Sequence, residues 1–316
     1  IAMRLLLIGC TGLVGRGLIP VLQAAGHQLT IVSRSASPAA FSADIASRLE
    51  WIQLDPAESS NWAPSTLLHD ALAASDGVVN LAGEPIAEQR WTVQHLETLE
   101  SSRLGTTRHL VSALATLAKP PSVLVNASAV GYFGTSLDGR FEESSPVGQD
   151  FLARLCQKWE QAAAEKPAAT RLVVLRIGIV LSSEGGALAK MLPVFRAGFG
   201  GPIGSGQQWM SWIERGDLCR IIQSSLETDS WSGVINAVAP DPVTMAVFAG
   251  SLGRCLGRPS LLAVPGPMLQ LLLGDGSKVV LEGQFVSSSR LDELGFNFLC
   301  PTLPVALDVA TSSSNR

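Results

Sequence analysis

An apolar run that stops in three spaced glycines constrains this chain more than any other feature. Arg4-Leu5-Leu6-Leu7-Ile8 ends in Gly9-Cys10-Thr11-Gly12-Leu13-Val14-Gly15, after which Leu18, Ile19, Leu22 and Ala25 recur at helical spacing. The order is strand, tight turn, helix. A second buried strand, Leu29-Thr30-Ile31-Val32, follows Gly26 and completes a βαβ unit. One glycine permits the turn, one lets backbone approach a pyrophosphate, and one lets the helix pack close to the strand. Free N–H groups at the helix start then hold the anion. The spacing is G-x-x-G-x-x-G rather than G-x-G-x-x-G, so the flanking strand and helix separate a dinucleotide site from a merely structural glycine turn.

The second strand ends in Ser33-Arg34-Ser35, where a site for an unphosphorylated ribose would usually carry an acidic residue. Arg34 offers a planar cation suited to a 2′-phosphate, so NADP(H) is expected over NAD(H); the alternative is a solvated loop arginine.

Leu49 to Asp55 reads as a third strand, Leu67-Leu68 with Ala71-Leu72 as a helix, and Gly77 to Gly83 as a short buried strand with a small-residue end. A helical run from Thr92 to Ala118 stops at Lys119-Pro120-Pro121. Ser122 to Asn126 is a fifth strand and Leu172 to Ile177 a sixth, with a helix from about Asp150 to Glu165 between them. Such alternation implies an α/β fold, a Rossmann-like doubly wound parallel sheet covered on both faces. Ligands then sit at the carboxyl ends of the strands, which carry Gly9, Ser33, Ala82, Ser128 and Ile177. Beyond Gly178 the pattern turns irregular. The expected division is an NADP-binding domain over 1–180, with a contribution from 215–239, and a small C-terminal α+β lobe formed mainly by 181–316.

Composition narrows the function classes. The chain is 47% hydrophobic and 16% charged with a formal net charge of −4, and no basic stripe is present, which argues against a nucleic-acid partner. The apolar stretch from Leu261 to Gly274 is broken by Pro265, Gly266 and Pro267, so no membrane span is expected. Five cysteines are scattered without C-x-x-C spacing and four histidines are isolated, so no metal site is expected. The first strand begins almost at once, leaving no room for a signal peptide, with Met3 the expected native start; a reduced, cytoplasmic or plastid-like compartment fits.

The glycine turn, Asn80-Leu81-Ala82-Gly83-Glu84-Pro85-Ile86, Arg90-Trp91, Ser102-Arg103 and Ser128-Ala129-Val130-Gly131-Tyr132 resemble the extended short-chain dehydrogenase/reductase superfamily. With Arg176 to Leu181 and Gly201 to Trp209, they resemble one atypical, epimerase-like branch whose members carry labels such as NAD-dependent epimerase/dehydratase, nucleoside-diphosphate sugar epimerase or cell division inhibitor. The resemblance spans nearly the whole chain. It implies a serine that holds a substrate carbonyl, a tyrosine acid/base, and a lysine four residues later that lowers the tyrosine pKa and binds the nicotinamide ribose. Ser128 matches the serine. Leu152 and Cys156 stand where the other two would be, and Lys158 is turned roughly 200° away on the helix.

Cys156 is either an unusual cofactor contact or acid, or packing beside the Phe151, Leu155 and Trp159 stripe. Tyr132, the single tyrosine, is either the remaining phenolic acid or an aromatic wall. The expected cofactor residues are Gly9, Thr11, Gly12, Leu13, Val14, Gly15, Ser33, Arg34, Leu81, Ala82, Gly83, Ser128, Cys156 and Ile177. Glu84, Arg90 and Arg103 are candidates for a polar or anionic substrate or for structural ion pairs. Gln208 and Trp209, beside Gln207 and Trp212, are candidates for a substrate loop or for lobe packing. The resulting expectation is an NADP(H)-dependent oxidoreductase or epimerase-like enzyme acting on a small molecule. The alternative is an NADPH-binding regulator with an eroded catalytic half, linked for example to cell division, acting through a protein partner.

Overall fold

In the computed structural model, which describes residues 2–35 and 41–312, seven strands form one parallel sheet. They are β1 (Arg4–Ile8), β2 (Gln28–Ser33), β3 (Leu49–Gln53), β4 (Gly77–Asn80), β5 (Val123–Ala129), β6 (Arg171–Ile177) and β7 (Gly233–Ala237). Their order across the sheet is β7-β6-β5-β4-β1-β2-β3. Leu5 lies beside Leu29 of β2 and Gly77 of β4, so β1 is an interior strand and the order reverses beside it. The small-residue stretch Ser35 to Ala43 and the polar stretch Thr311 to Arg316, which the sequence marks as a loop and a tail, fall in part on 36–40 and 313–316, outside the described residues.

The helices of eight residues or more are α1 (Leu13–Ala24), α2 (Leu67–Ala74), α3 (Val93–Thr116), α4 (Phe151–Ala164), α5 (Gly186–Arg196), α6 (Arg215–Glu227), α7 (Met245–Leu256), α8 (Gly266–Leu273) and α9 (Leu303–Ser312). The unbroken apolar run of β1 follows from burial on both faces. Leu5 and Leu7 pack with Leu18, Ile19 and Leu22 of α1 and Ile221 of α6, while Leu6 and Ile8 pack with Leu68 and Leu72 of α2 and Leu110 of α3. The first of these clusters continues without a break through Leu188 and Leu192 of α5, Trp212, Phe248 of α7 and Leu307 of α9. The C-terminal elements therefore share their core with the sheet.

β5 runs three residues past the expected end at Asn126. The polar side chains at this end of the strand find partners: Asn126 Oδ1 accepts from Asn80 Nδ2 at 2.7 Å, and Ser128 Oγ donates to Glu160 at 2.7 Å. Asp150 accepts from the Ala153 N–H at 2.8 Å and caps α4. Leu155 and Trp159 then pack α4 against Ala127 of β5 and against Leu99 and Leu104 of α3.

Short pairings tie the C-terminal half over the strand ends. Ile179–Leu181 runs parallel to Trp212–Glu214, Trp209–Met210 antiparallel to Val243–Thr244, and Arg140–Phe141 parallel to Phe285–Val286.

Candidate cofactor and proton-transfer site

The three glycines of the first turn differ in their surroundings. Gly9 has a φ of +73°, and a Cβ on it would lie 2.5 Å from the Ala82 nitrogen; a Cβ on Gly15 would lie 2.0 Å from the Cys10 carbonyl oxygen. Neither position admits a side chain. A Cβ on Gly12 would meet nothing within 4 Å, and Gly12 opens α1 with no side-chain cap and no acidic residue in the first turn. The helix start thus presents backbone donors toward open space, as a phosphate-binding turn requires. Thr11, Leu13 and Val14 complete the turn, and Leu13 packs toward Gly185 and Gly186. Beneath it, burial raises the Cys10 thiol and pushes Cys219 up to about 12, so both are neutral at ordinary pH and leave no anion under the turn.

The ends of β2 and β4 flank this opening. Ser33 Oγ accepts from the Ser35 N–H at 3.1 Å, the Arg34 carbonyl accepts from Gln53 Nε2 at 3.3 Å, and Trp51 Nε1 donates to the Ser35 carbonyl at 2.8 Å. Past β4, the Leu81 N–H donates to the Ile8 carbonyl at 2.9 Å and the Ala82 N–H to Asn80 Oδ1 at 3.2 Å. Arg103 is buried and aimed at backbone rather than at a ligand site. It donates to the carbonyls of Glu84 at 2.9 Å and Leu99 at 3.1 Å, fills the space a Cβ on Gly83 would need, and has its pKa lowered by burial. Glu84 turns instead toward Arg34, Oε2 to Nη2 at 3.9 Å.

At the end of β5 lies a compact polar cluster. Glu160, two turns along α4 from Leu152, takes the Ser128 hydroxyl at 2.7 Å and Arg176 Nε at 2.8 Å on Oε1, and Arg176 Nη2 at 2.9 Å on Oε2. Arg176 also donates to the Glu143 carbonyl at 3.1 Å, and its guanidinium stacks 3.4 Å from the centroid of the Tyr132 ring. The Tyr132 ring thus packs on a buried cation. Cys156, one turn before Glu160, is pushed up to about 11 by burial and by the Glu160 charge. Leu152 packs toward Gly131, and Lys158 points away to Glu100 at 2.9 Å. Chemically, a serine whose proton is committed to a carboxylate presents its lone pairs to whatever approaches.

The remaining candidates hold the C-terminal segment in place. Gln208 is buried and donates to the carbonyls of Ile203 at 2.9 Å and Val280 at 3.1 Å. Trp209 Nε1 donates to the Leu137 carbonyl at 2.7 Å and its ring meets Phe285 edge-on. Arg90 is exposed and lies along Gly274. Among the described residues no group of three or more His, Cys, Asp or Glu could hold a metal ion, and no helix is long and apolar enough to cross a membrane. A cavity of about 560 Å³ opens at the opposite, amino ends of β1, β2 and β3, beside Arg4, Thr30, Arg48 and Glu50, and includes none of these site residues.

Residues 5–237 match the model of the NAD dependent epimerase/dehydratase family, and 264–310 match a domain of unknown function, DUF1731. The chain belongs to the NAD dependent epimerase/dehydratase family. Within this epimerase family it is 42% identical over 292 residues to the chloroplastic SDR39U1 homolog of Arabidopsis thaliana, covering 92% of this chain and 81% of that one. It is 38% identical to SDR39U1 of Homo sapiens, over 96% of this chain and 98% of that one. The crystal structure of human SDR39U1 (isoform 2) with NADPH superposes with a TM-score of 0.86 at 37% identity, covering 98% and 99% of the two chains.

Sequence reasoning on this epimerase-family chain passed over Glu160 and gave Arg176 no role. Two signals were present. Leu152, Cys156 and Glu160 continue one i, i+4 ladder, and Arg176 is a charge within the otherwise apolar run Leu172 to Ile177, which requires a buried partner.

Proposed function

We propose that the chain binds NADP(H) and acts as an oxidoreductase or epimerase-type enzyme on a small molecule held beside Ser128. The observation that carries this reading is the glycine turn, closed at Gly9 and Gly15 and open at Gly12. Arg34 at the end of β2 supports the phosphorylated cofactor, as does the NADPH bound by human SDR39U1. In this reading Gly9, Thr11, Gly12, Leu13, Val14 and Gly15 hold the pyrophosphate, and Ser33 and Arg34 the adenosine ribose with its 2′-phosphate. Leu81, Ala82 and Gly83 line the middle of the cofactor; Ser128, Cys156 and Ile177 line its nicotinamide half. The free thiols suit a reducing compartment such as the cytoplasm.

Bound there, the nicotinamide supplies a hydride donor or acceptor. The chain's own residues handle the proton. Ser128 Oγ accepts a hydrogen bond from a substrate hydroxyl; as that proton arrives, Ser128 passes its own to Oε1 of Glu160, and the reverse movement returns it. Arg176 fixes the carboxylate through two N–H groups.

The test is a fluorescence titration with NADPH, NADP+, NADH and NAD+, followed by exposure of the NADPH complex to a metabolite pool. Tight NADPH binding with consumption is expected, and Ser128→Ala should keep the binding and lose the consumption. Unchanged turnover in Ser128→Ala overturns the proton path, and absence of NADPH binding overturns the whole reading. Leu152 and Cys156 at the tyrosine and lysine positions favour a second reading, an NADPH-binding regulator acting through a protein partner, of the kind the cell-division label describes. Tight binding without consumption, together with NADPH-dependent partner capture, is its signature.

A further inference from the structure

We propose that Glu84 is a specificity-determining residue that competes with the ligand's 2′-phosphate for Arg34. The proposal rests on the NADP(H) reading above, because it concerns how Arg34 receives that phosphate.

The argument starts from the sheet order. β1 lies between β2 and β4, so an ion pair from the end of β2 to the segment after β4 spans the carboxyl end of β1, the strand that leads into the glycine turn. Both ends of this span are anchored through backbone. The Glu84 N–H donates to Ser102 Oγ at 3.1 Å and its carbonyl accepts from Arg103. The Arg34 carbonyl accepts from Gln53, and Trp51 holds the next residue. Only the two side chains are left to move. Their separation of 3.9 Å is longer than a hydrogen bond, and the Arg34 side chain is 72% exposed.

Such a pair is weak and readily exchanged. A phosphate monoester brings close to two negative charges and three acceptor oxygens to the same guanidinium, in a geometry that accepts two parallel N–H bonds. A 2′-hydroxyl brings no charge and leaves the pair closed. Glu84 is therefore displaced only by a phosphorylated ribose, and its displacement subtracts from the affinity that Arg34 would otherwise confer. The carboxylate also remains near the incoming phosphate on an anchored backbone, and like charges at that range oppose binding. The consequence is a cofactor held less tightly than the arginine alone would hold it, and released faster.

The experiment is a double-mutant cycle read by binding alone, with NADPH, NADH, 2′,5′-ADP and 5′-ADP titrated into wild type, Glu84→Gln, Arg34→Ala and the double variant. Glu84→Gln should tighten NADPH and 2′,5′-ADP about twofold to fivefold, the size of an exposed ion pair, and leave NADH and 5′-ADP unchanged. The gain should shrink as NaCl is raised and vanish in the Arg34→Ala background. Weaker NADPH binding by Glu84→Gln, equal tightening of NADH, or a gain that persists without Arg34 overturns the proposal while leaving the NADP(H) reading intact. Wild type that binds none of the four overturns that reading and this proposal with it.

Discussion

Glu160→Met leaves the guanidinium of Arg176 buried without its carboxylate, and the geometry sets the cost. The Arg176 side chain is 3% exposed and that of Glu160 12%, with both oxygens of Glu160 engaged at 2.8–2.9 Å by the guanidinium. Two unit charges about 4 Å apart attract by about 4 kcal/mol at an effective dielectric of 20, and breaking such a buried pair from one side costs about 3–5 kcal/mol. The Ser128 hydroxyl loses its acceptor as well, at about 1 kcal/mol. Glu160→Met should therefore lose about 3–5 kcal/mol of unfolding free energy. The double variant Glu160→Met with Arg176→Met removes both charges and should recover at least half of that loss, although the Glu143 carbonyl then gives up its donor. Urea unfolding followed by tryptophan fluorescence and by circular dichroism measures both, and coincidence of the two signals tests the two-state treatment. If Glu160→Met lies within about 1 kcal/mol of wild type, the pair is screened by solvent and the reasoning fails. If the double variant is no better than the single, the orphaned charge is not the source of the cost. Recovery would mean that the pair is kept for something other than stability, which is what a proton-handling role at Ser128 requires.

Two other outcomes follow from the titrating groups. The Arg4 N–H donates to Asp76 at 2.8 Å and, with the Arg4 and Lys119 charges, holds this carboxyl below the ordinary aspartate value. A depressed folded pKa contributes stability above the unfolded value of about 3.9 and loses it as pH falls through the folded value. Asp76→Asn should thus melt lower than wild type at neutral pH and converge with it in acid; a gap that persists to the acid end overturns this account. The Cys156 thiol, pushed up to about 11 and buried, should resist iodoacetamide in the native protein at pH 8, where roughly a thousandth of it is thiolate, and react once unfolded. Labelling in the native protein at the rate of a free thiol, read by mass spectrometry, would remove the burial argument.

Legibility in the sequence tracked how local each cause was. The run Leu5 to Ile8 and the glycines after it specify strand, turn and helix from adjacent residues, and alternating strands and helices then imply the parallel sheet. The end of β5 was harder to read, because the partners that Asn126 and Ser128 need in a buried strand, Asn80 and Glu160, lie far away in the sequence. Arg103 and Glu84 show the same limit. As charges near the strand ends they read equally as substrate contacts or as structural ion pairs; Arg103 fills the space behind Gly83 and Glu84 reaches Arg34 across β1.

By itself, then, the sequence determined the α/β architecture, the glycine turn at the first strand end and the absence of the tyrosine and lysine from their expected helix positions. Each of these is read from local patterns along the chain, the architecture from the order in which such patterns alternate. Only the tertiary structure decided what stands in their place: Glu160, 32 residues from Ser128 and 16 from Arg176, meets both because Leu155 and Trp159 pack α4 against Ala127 of β5 and against Leu99 and Leu104 of α3. The physical reason is that a buried charge is stable only where packing delivers its counter-charge and donors, and that delivery depends on how whole elements lie against one another.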